Sequence, residues 1–346
     1  MTYTNLCYFL NGMCTMFFGY MTFWFWHKRS EALYATVAVF MALVSVGYLK
    51  DLPFIDEVFL DDEFVWQLIT CSDMTVLPLY AAIVTELCKP GSLRTKRILI
   101  HEIPFVLLPL QLLFSKNEVF YHAAVIWGEL YAAGYTVWAL IAIPRYHKML
   151  KEQFSYMENI NLNWMRQSIL SFFAMQIVWT LVNIEMNASM ECYYMCLSLI
   201  ICIFMCYSLS RHQSVLDELS SIEHCDNIPD AEDMPKLGAT LQELFISQKL
   251  YLNPRLKLSD VAALAGTNRT YLSNYFNRTL NATFYDYVNG LRLDHAEELL
   301  QNSNEPQAFI AEQSGFNSLS TFRRQFQQRH HCTPEVFRQQ QADSAK

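Results

Sequence analysis

Residues 261–276 read Val-Ala-Ala-Leu-Ala-Gly-Thr-Asn-Arg-Thr-Tyr-Leu-Ser-Asn-Tyr-Phe, and residues 310–326 read Ile-Ala-Glu-Gln-Ser-Gly-Phe-Asn-Ser-Leu-Ser-Thr-Phe-Arg-Arg-Gln-Phe. The two stretches follow one plan. Gly266 matches Gly315, Asn268 matches Asn317, Leu272 matches Phe322 and Phe276 matches Phe326. The offset is 49 residues before the turn and 50 after it, so the second turn is one residue longer. Each copy holds a short apolar helix, a glycine turn, and a helix with apolar residues at i and i+4, which share one face. That is the helix-turn-helix plan, whose second helix enters the DNA major groove.

Helical geometry assigns the outward faces. With Leu272 and Phe276 inward, Thr270, Asn274 and Asn277 lie opposite and Ser273 lies on the flank. With Phe322 and Phe326 inward, Ser320, Arg324 and Gln327 lie opposite and Arg323 on the flank. Neither face carries an acid. Arginine pairs with guanine, asparagine with adenine, and serine or threonine adapts to either. The expected base readers are Thr270, Ser273, Asn274, Leu319, Ser320, Arg323 and Arg324, with Leu319 suited to a thymine methyl. Expected phosphate contacts are Arg269, Asn277, Arg278, Gln327 and Arg329. The rival reading of these faces is a solvated helix surface. Between the copies, residues 284–301 place Tyr287, Leu291, Ala296, Leu299 and Leu300 in a helical apolar stripe. Such a helix can pack against both copies and hold the recognition helices about one duplex turn (roughly 34 Å) apart.

Residues from about Leu237 to Arg338 resemble the AraC/XylS-type DNA-binding domain. The resemblance is carried by Leu258-Ser-Asp-Val-Ala262, Gly266, Tyr271-Leu-Ser273, Phe276, Tyr287, Leu291-Arg-Leu293 and Ala296. It continues through Ile310-Ala311, Gly315-Phe316, Thr321-Phe322, Phe326, Thr333-Pro334 and Phe337-Arg338. It implies a two-unit reader of double-stranded DNA that activates transcription beside a promoter, with RNA polymerase as a partner. Three positions depart from the family pattern. Asn281 and the region of His331 stand where the family usually has glycine, and Leu319 opens the second recognition helix.

Working outward, the rest of the chain changes character. Of 346 residues, 53% are apolar and only 17% charged, against about 25% charged in a typical soluble domain. This composition excludes intrinsic disorder, and the length excludes a small disulfide scaffold. Residues 1–213 hold 13 Lys+Arg and 16 Asp+Glu, residues 214–235 none and 7, and residues 236–346 12 and 10. All seven tryptophans lie in the first part.

That first part divides into seven apolar segments. Met1–Trp26 has no Lys, Arg, Asp, Glu or His; Ala32–Leu49, Gln167–Ile184 and Cys192–Ser210 are uncharged; Phe64–Leu87, Ile98–Phe114 and Val119–Ile143 are sparsely interrupted. About 18 apolar residues suffice to cross a bilayer core. The loops alternate in charge. Lys28 and Arg29, then Lys89, Arg94, Lys96 and Arg97, then Arg145, Lys148, Lys151 and Arg166, then Arg211 fall on one side, 11 in all; only Lys50 and Lys116 fall on the other. The positive-inside bias then predicts an outside N-terminus and a cytoplasmic C-terminus. Trp24, Trp26, Trp66, Trp138 and Trp164 suit interfacial belts. With no basic residues before its apolar run, the first segment reads as a retained helix rather than a signal peptide.

Asp73 and Glu129 each lie about ten residues into a segment entering from outside, so similar depth is expected. Carboxylates there face a bundle interior or wet cavity. They read as a sensor pocket or as polar contacts locking helices together, with His101 and Glu102 as further pocket candidates or as snorkelling groups. The acidic loop Asp51–Glu63 reads as a cation-attracting or simply solvated surface. Cys192, Cys196, Cys202 and Cys206 read as packing residues rather than ligands, and Cys225 and Cys332 as reduced thiols. His330-His331-Cys332 lacks a second ligand pair for zinc, so no metal is expected. No Walker loop, HExxH, GxSxG or Rossmann fingerprint occurs, so no catalytic residue and no cofactor is expected.

The expected architecture is all-α: a seven-helix transmembrane sensor bundle over 1–210, an acidic linker over 211–235, a soluble domain with two helix-turn-helix units over 236–340, and a tail over 341–346. It resembles membrane-anchored AraC-type regulators of the Bacteroides group, which implies multi-pass residence in the bacterial inner membrane. The partners expected are double-stranded DNA, the lipid bilayer, a second copy in a homodimer, and an unidentified small-molecule or periplasmic signal. A DNA-binding part of net charge about +2 binds phosphate weakly alone, and dimerisation or tethering raises its effective concentration. The rival functions are a membrane transporter or intramembrane enzyme with a regulatory helix-turn-helix domain, and a soluble factor with a buried helical sensor.

Overall fold

The computed structural model of the chain describes residues 3–29, 31–55, 63–185, 188–213, 215 and 234–344. Most of the acidic stretch 214–235, Cys225 within it, and most of the acidic loop 51–63 lie outside the described residues. Among the described residues no strand forms, and a lone antiparallel bridge joins Phe154 and Lys257. The chain divides into two compact units, Met1–Tyr146 with Leu162–Leu216, and His147–Asn161 with Asp217–Lys346. The apolar part is therefore not one uninterrupted unit: fifteen of its residues, His147–Asn161, belong with the C-terminal part.

The first unit holds helices α1 (Tyr3–His27), α2 (Ala32–Asp51), α3 (Glu63–Asp73), α4 (Leu77–Cys88), α5 (Thr95–Ser115), α6 (Val119–Gln153, whose end enters the second unit), α7 (Asn163–Glu185) and α8 (Ala188–Arg211). Helix α1 packs on α2 and α8, α7 on α8, α2 on α4, and α5 on α3 and α4. Helices α3 and α4 are separated by the tight turn Met74–Val76, which is followed by Pro78 in the first turn of α4. Proline has no N–H to give the carbonyl four residues back, here that of Met74, so the α-helical ladder loses a bond there and the run Glu63–Cys88 continues through a tighter 3-10 turn.

Among the described residues, five helical runs are long and apolar enough to cross a membrane: Ala32–Asp51, Glu63–Cys88, Thr95–Ser115, Val119–Gln153 and Met190–Arg211. Helices α1 and α7 are not among these five. The aliphatic surface of α5 points outward at Leu99, Ile103, Val106, Leu110 and Leu113, with Phe114 beside them. Cys192, Cys202 and Cys206 are buried in α8 and Cys196 is exposed.

The second unit holds α9 (Met234–Gln242), α10 (Leu258–Leu264), α11 (Arg269–Asn274), α12 (Phe284–Asn302), α13 (Gln307–Gln313), α14 (Leu319–His330) and α15 (Pro334–Ser344). It has two cores. One gathers Leu244, Phe245, Leu258, Val261, Leu272 and Phe276. The other gathers Leu293, Ala296, Leu300, Ile310, Phe322 and Phe326. Helix α12 joins them, giving Phe284 and Val288 to the first and Leu293, Ala296 and Leu300 to the second. Tyr287 and Leu291 pack against the first core and Leu299 against the second, so the stripe read from sequence serves both copies.

Candidate DNA interface

In each copy a helix, a glycine turn and a second helix follow in order. Helices α10 and α11 form the first, α13 and α14 the second. The turns need a left-handed residue, and Gly266 at φ 64° and Gly315 at φ 81° supply it without a Cβ penalty. Each recognition helix is capped by a short polar side chain. Asn268 Oδ1 accepts the Tyr271 N–H at 2.7 Å, and Ser318 Oγ accepts the Thr321 N–H at 3.2 Å. The caps lie 50 residues apart, as the longer second turn requires.

The inward residues are fully enclosed: Leu272, Phe322 and Phe326 are 0% exposed and Phe276 1%. Thr270, Asn274 and Arg278 are exposed on the first recognition helix and its continuation, with Arg269, Ser273 and Asn277 half-buried. The Asn277 amide donates to the Ser273 hydroxyl at 3.3 Å. After Asn274 the helix widens into a π turn over Tyr275–Thr279, and Asn281 then adopts φ 50°. On the second recognition helix Ser320, Arg323, Arg324, Gln327 and Arg329 are exposed. Leu319 is half-buried against the second core. The helix ends at His331 with φ 55°. Both positions that depart from the family's glycine are therefore left-handed.

Arginines on these faces have partners within the domain, Arg324 with the Tyr285 hydroxyl among them. Arg323 Nε donates to the Gln307 side chain at 2.8 Å. Arg329 Nη2 pairs with Asp294 at 2.5 Å and its Nε lies 3.6 Å from Glu297, both on α12. His330 Nε2 meets the same Glu297 at 2.7 Å.

Sequence reasoning passed over Arg292, which is 1% exposed in α12. Its guanidinium donates to the Tyr251 carbonyl at 2.7 Å, the Asn253 carbonyl at 2.6 Å, the Ser155 carbonyl at 3.0 Å, the Ser155 hydroxyl at 3.1 Å and the Asn289 side chain at 3.1 Å. Burial pulls its pKa down to about 10, so it is still charged at neutral pH. A buried guanidinium persists only where its donors are matched, as here. An arginine flanked by Leu291 and Leu293 inside an apolar stripe was the available signal.

The four sensor candidates, all in the first unit, do not come together as one site. Asp73 ends α3 and pairs with Lys50 at 2.8 Å, and Lys50 also pairs with Asp51 at 2.6 Å. Asp73, Lys50 and Asp51 line a cavity of about 310 Å³ that also meets Tyr194 and Trp179. His101 lines another cavity, about 540 Å³, with Tyr135, Trp138, Arg94 and Arg97, and its Nδ1 lies 3.0 Å from the Tyr131 hydroxyl. Glu129 accepts from Gln176 at 3.2 Å and Thr180 at 2.5 Å, joining α6 to α7. Glu102 lines neither cavity. Among the described residues no group of three or more His, Cys, Asp or Glu side chains can hold a metal.

The family described as "Helix-turn-helix domain" matches residues 261–340. An HTH-type transcriptional regulator of Staphylococcus aureus (strain COL) is 32% identical over 90 residues, which are 26% of this chain and 12% of that protein. Regulatory protein PocR of Salmonella typhimurium is 36% identical over 90 residues, 26% of this chain and 30% of that protein. The crystal structure of the C-terminal domain of the two-component response regulator yesN from Fusobacterium nucleatum is 27% identical, covers 29% of this chain and 98% of that one, and has a TM-score of 0.27. The chain thus spans under a third of the length of these curated relatives. The C-terminal region of this chain is thus similar to the helix-turn-helix domains that such regulators carry.

Proposed function

We propose that the protein is a membrane-anchored, sequence-specific regulator with seven spans in the bacterial inner membrane, its N-terminus outside and its DNA reader in the cytoplasm. The observation that carries the reading is the duplicated reader with two acid-free exposed faces, joined to helices whose aliphatic side chains face outward. Apolar surface of that extent is stable against lipid and costly against water. The alternating loop charges support the orientation.

In this reading Thr270, Ser273, Asn274, Leu319, Ser320, Arg323 and Arg324 read bases. Arg269, Asn277, Arg278, Gln327 and Arg329 hold phosphates. Arg329 exchanges its carboxylates for phosphate, and Arg323 exchanges Gln307 for a base. A homodimer strengthens the modest affinity of one domain by holding the second reader at high effective concentration, and RNA polymerase is the partner beside the promoter. The signal, a small molecule or a periplasmic component, enters one of the two cavities and passes through α8 and the acidic stretch to the reader. It acts by binding one state of the bundle better than the other.

The test is genome-wide mapping of bound DNA with the full-length protein, followed by operator titration in lipid nanodiscs. Arg324→Ala and Asn274→Ala are each expected to weaken operator binding by about 1–3 kcal/mol, roughly tenfold to a hundredfold. Intact operator binding in both variants overturns the assignment of the faces. Release of the protein from membranes by carbonate overturns the anchoring.

A further inference from the structure

We propose that the segment His147–Asn161 is a latch on the DNA reader: its Glu158 carboxylate occupies the entrance of the second recognition helix, and it must leave for that helix to take a duplex. The inference rests on the reading that α14 enters DNA.

The segment belongs to the same compact unit as the reader and is fastened there along its length. Lys151 lies 3.9 Å from Asp286 at the start of α12. Phe154 is 2% exposed and bridges to Lys257. The Ser155 N–H and hydroxyl both donate to the Leu256 carbonyl, at 3.1 and 2.8 Å. The Ser155 carbonyl accepts from Arg292 at 3.0 Å and from Asn289 at 3.2 Å. Arg292 is thereby satisfied partly by the reader itself and partly by a loop about 137 residues away in sequence.

Beyond this anchor stands Glu158. One of its oxygens accepts the Thr321 hydroxyl at 2.5 Å, and the other lies 3.5 Å from the Asn317 amide. Asn317 and Thr321 flank Ser318, the cap of α14. The first turn of a recognition helix is the part that reaches base edges, and its flanking donors are the groups that hold phosphate. A carboxylate there takes those donors and repels the duplex. At the first recognition helix Asn268 takes the Tyr271 N–H directly.

The latch is also tied to the bundle by the chain. Helix α6 runs unbroken from Val119 to Gln153, and the chain re-enters the first unit at Leu162. A shift of α6 or α7 therefore pulls on a segment of fifteen residues that is fixed at both ends. This route needs no passage through the acidic stretch.

The test uses the full-length protein in lipid nanodiscs and a mixed-sequence DNA duplex. Glu158→Gln keeps an acceptor for Thr321 and removes only the charge. It is expected to tighten duplex binding by roughly threefold to tenfold, with the gain shrinking as salt rises. Unchanged or weaker binding overturns the latch. A second measurement does not depend on the variant: hydrogen exchange of residues 154–161 in the wild type is expected to quicken when duplex is added. Unchanged or slower exchange there overturns the latch too. If neither protein binds duplex even at low salt, the DNA-reading assignment of α14 fails, and the latch with it.

Discussion

The two helix-turn-helix copies share one sequence plan and differ in what surrounds it. In the first, a Cβ built on Gly266 meets nothing within 4 Å. In the second, a Cβ on Gly315 would stand 2.8 Å from the Leu252 Cα and from the carbonyl oxygens of Tyr251 and Leu252. The first glycine serves backbone conformation alone. The second also lets the turn close against the 251–252 backbone, which is the same stretch that receives Arg292. Duplication thus copied the fold of the unit and not its neighbours. The first copy retains an open turn, and the second is wedged between the 250s backbone and the 147–161 segment.

Swapping the two glycines gives the largest expected effect. Gly266→Ala should cost about 1–2 kcal/mol, the left-handed penalty of an L-residue. Gly315→Ala should cost that and a further 1–3 kcal/mol or so for overpacking, about 2–5 kcal/mol in all. Denaturant unfolding of the full-length protein, followed by a probe in the reader, measures both. Equal losses would mean that the 251–252 backbone yields freely and that the two copies stand in equivalent surroundings.

Much of this comparison was legible in the sequence. The 49-to-50 step in the offset located the longer turn, and the i, i+4 apolar pairs fixed which faces are buried, because helix period and burial are local properties of a helix. The stripe on α12 was legible for the same reason. What escaped was non-local and polar. Ser155 binds Arg292 through a backbone carbonyl, and every residue has one, so no spacing marks it. Glu158 reads as an ordinary loop acid until the chain folds back. In the bundle, the apolar segments read from the sequence lie in helices, the third of them interrupted by the turn Met74–Val76. Equal depth leaves open whether Asp73 and Glu129 form a pocket or lock helices; each has its own partner, Lys50 for one and Thr180 with Gln176 for the other, and depth alone carries no information on partners.

The caps sharpen the comparison with a smaller effect. Losing a polar N-cap costs about 1 kcal/mol. Asn268→Ala should cost that in full, because its side chain satisfies the Tyr271 N–H directly. Ser318→Ala should cost less, because the Glu158 carboxylate already sits at that helix N-terminus, where a negative charge is favourable. The same pair of unfolding curves decides it. A Ser318→Ala loss equal to or larger than that of Asn268→Ala would show that Glu158 does not support the helix end.

The smallest expected effect lies at the far ends of the recognition helices, where both copies place a non-glycine residue in the left-handed region, Asn281 at φ 50° and His331 at φ 55°. Asparagine pays little for that conformation, since its short polar side chain bonds locally, whereas histidine pays more of the usual 1–2 kcal/mol or so. Glycine removes the steric cost but has more freedom to lose on folding, which returns roughly 0.5–1 kcal/mol of the gain. His331→Gly should therefore stabilise the reader by about 0.5–1 kcal/mol, and Asn281→Gly should leave it within about 0.5 kcal/mol of the wild type. The exposed His331 side chain makes the substitution a test of backbone strain rather than of lost packing, so a loss of stability in His331→Gly would place the cost of that helix end somewhere other than its left-handed residue.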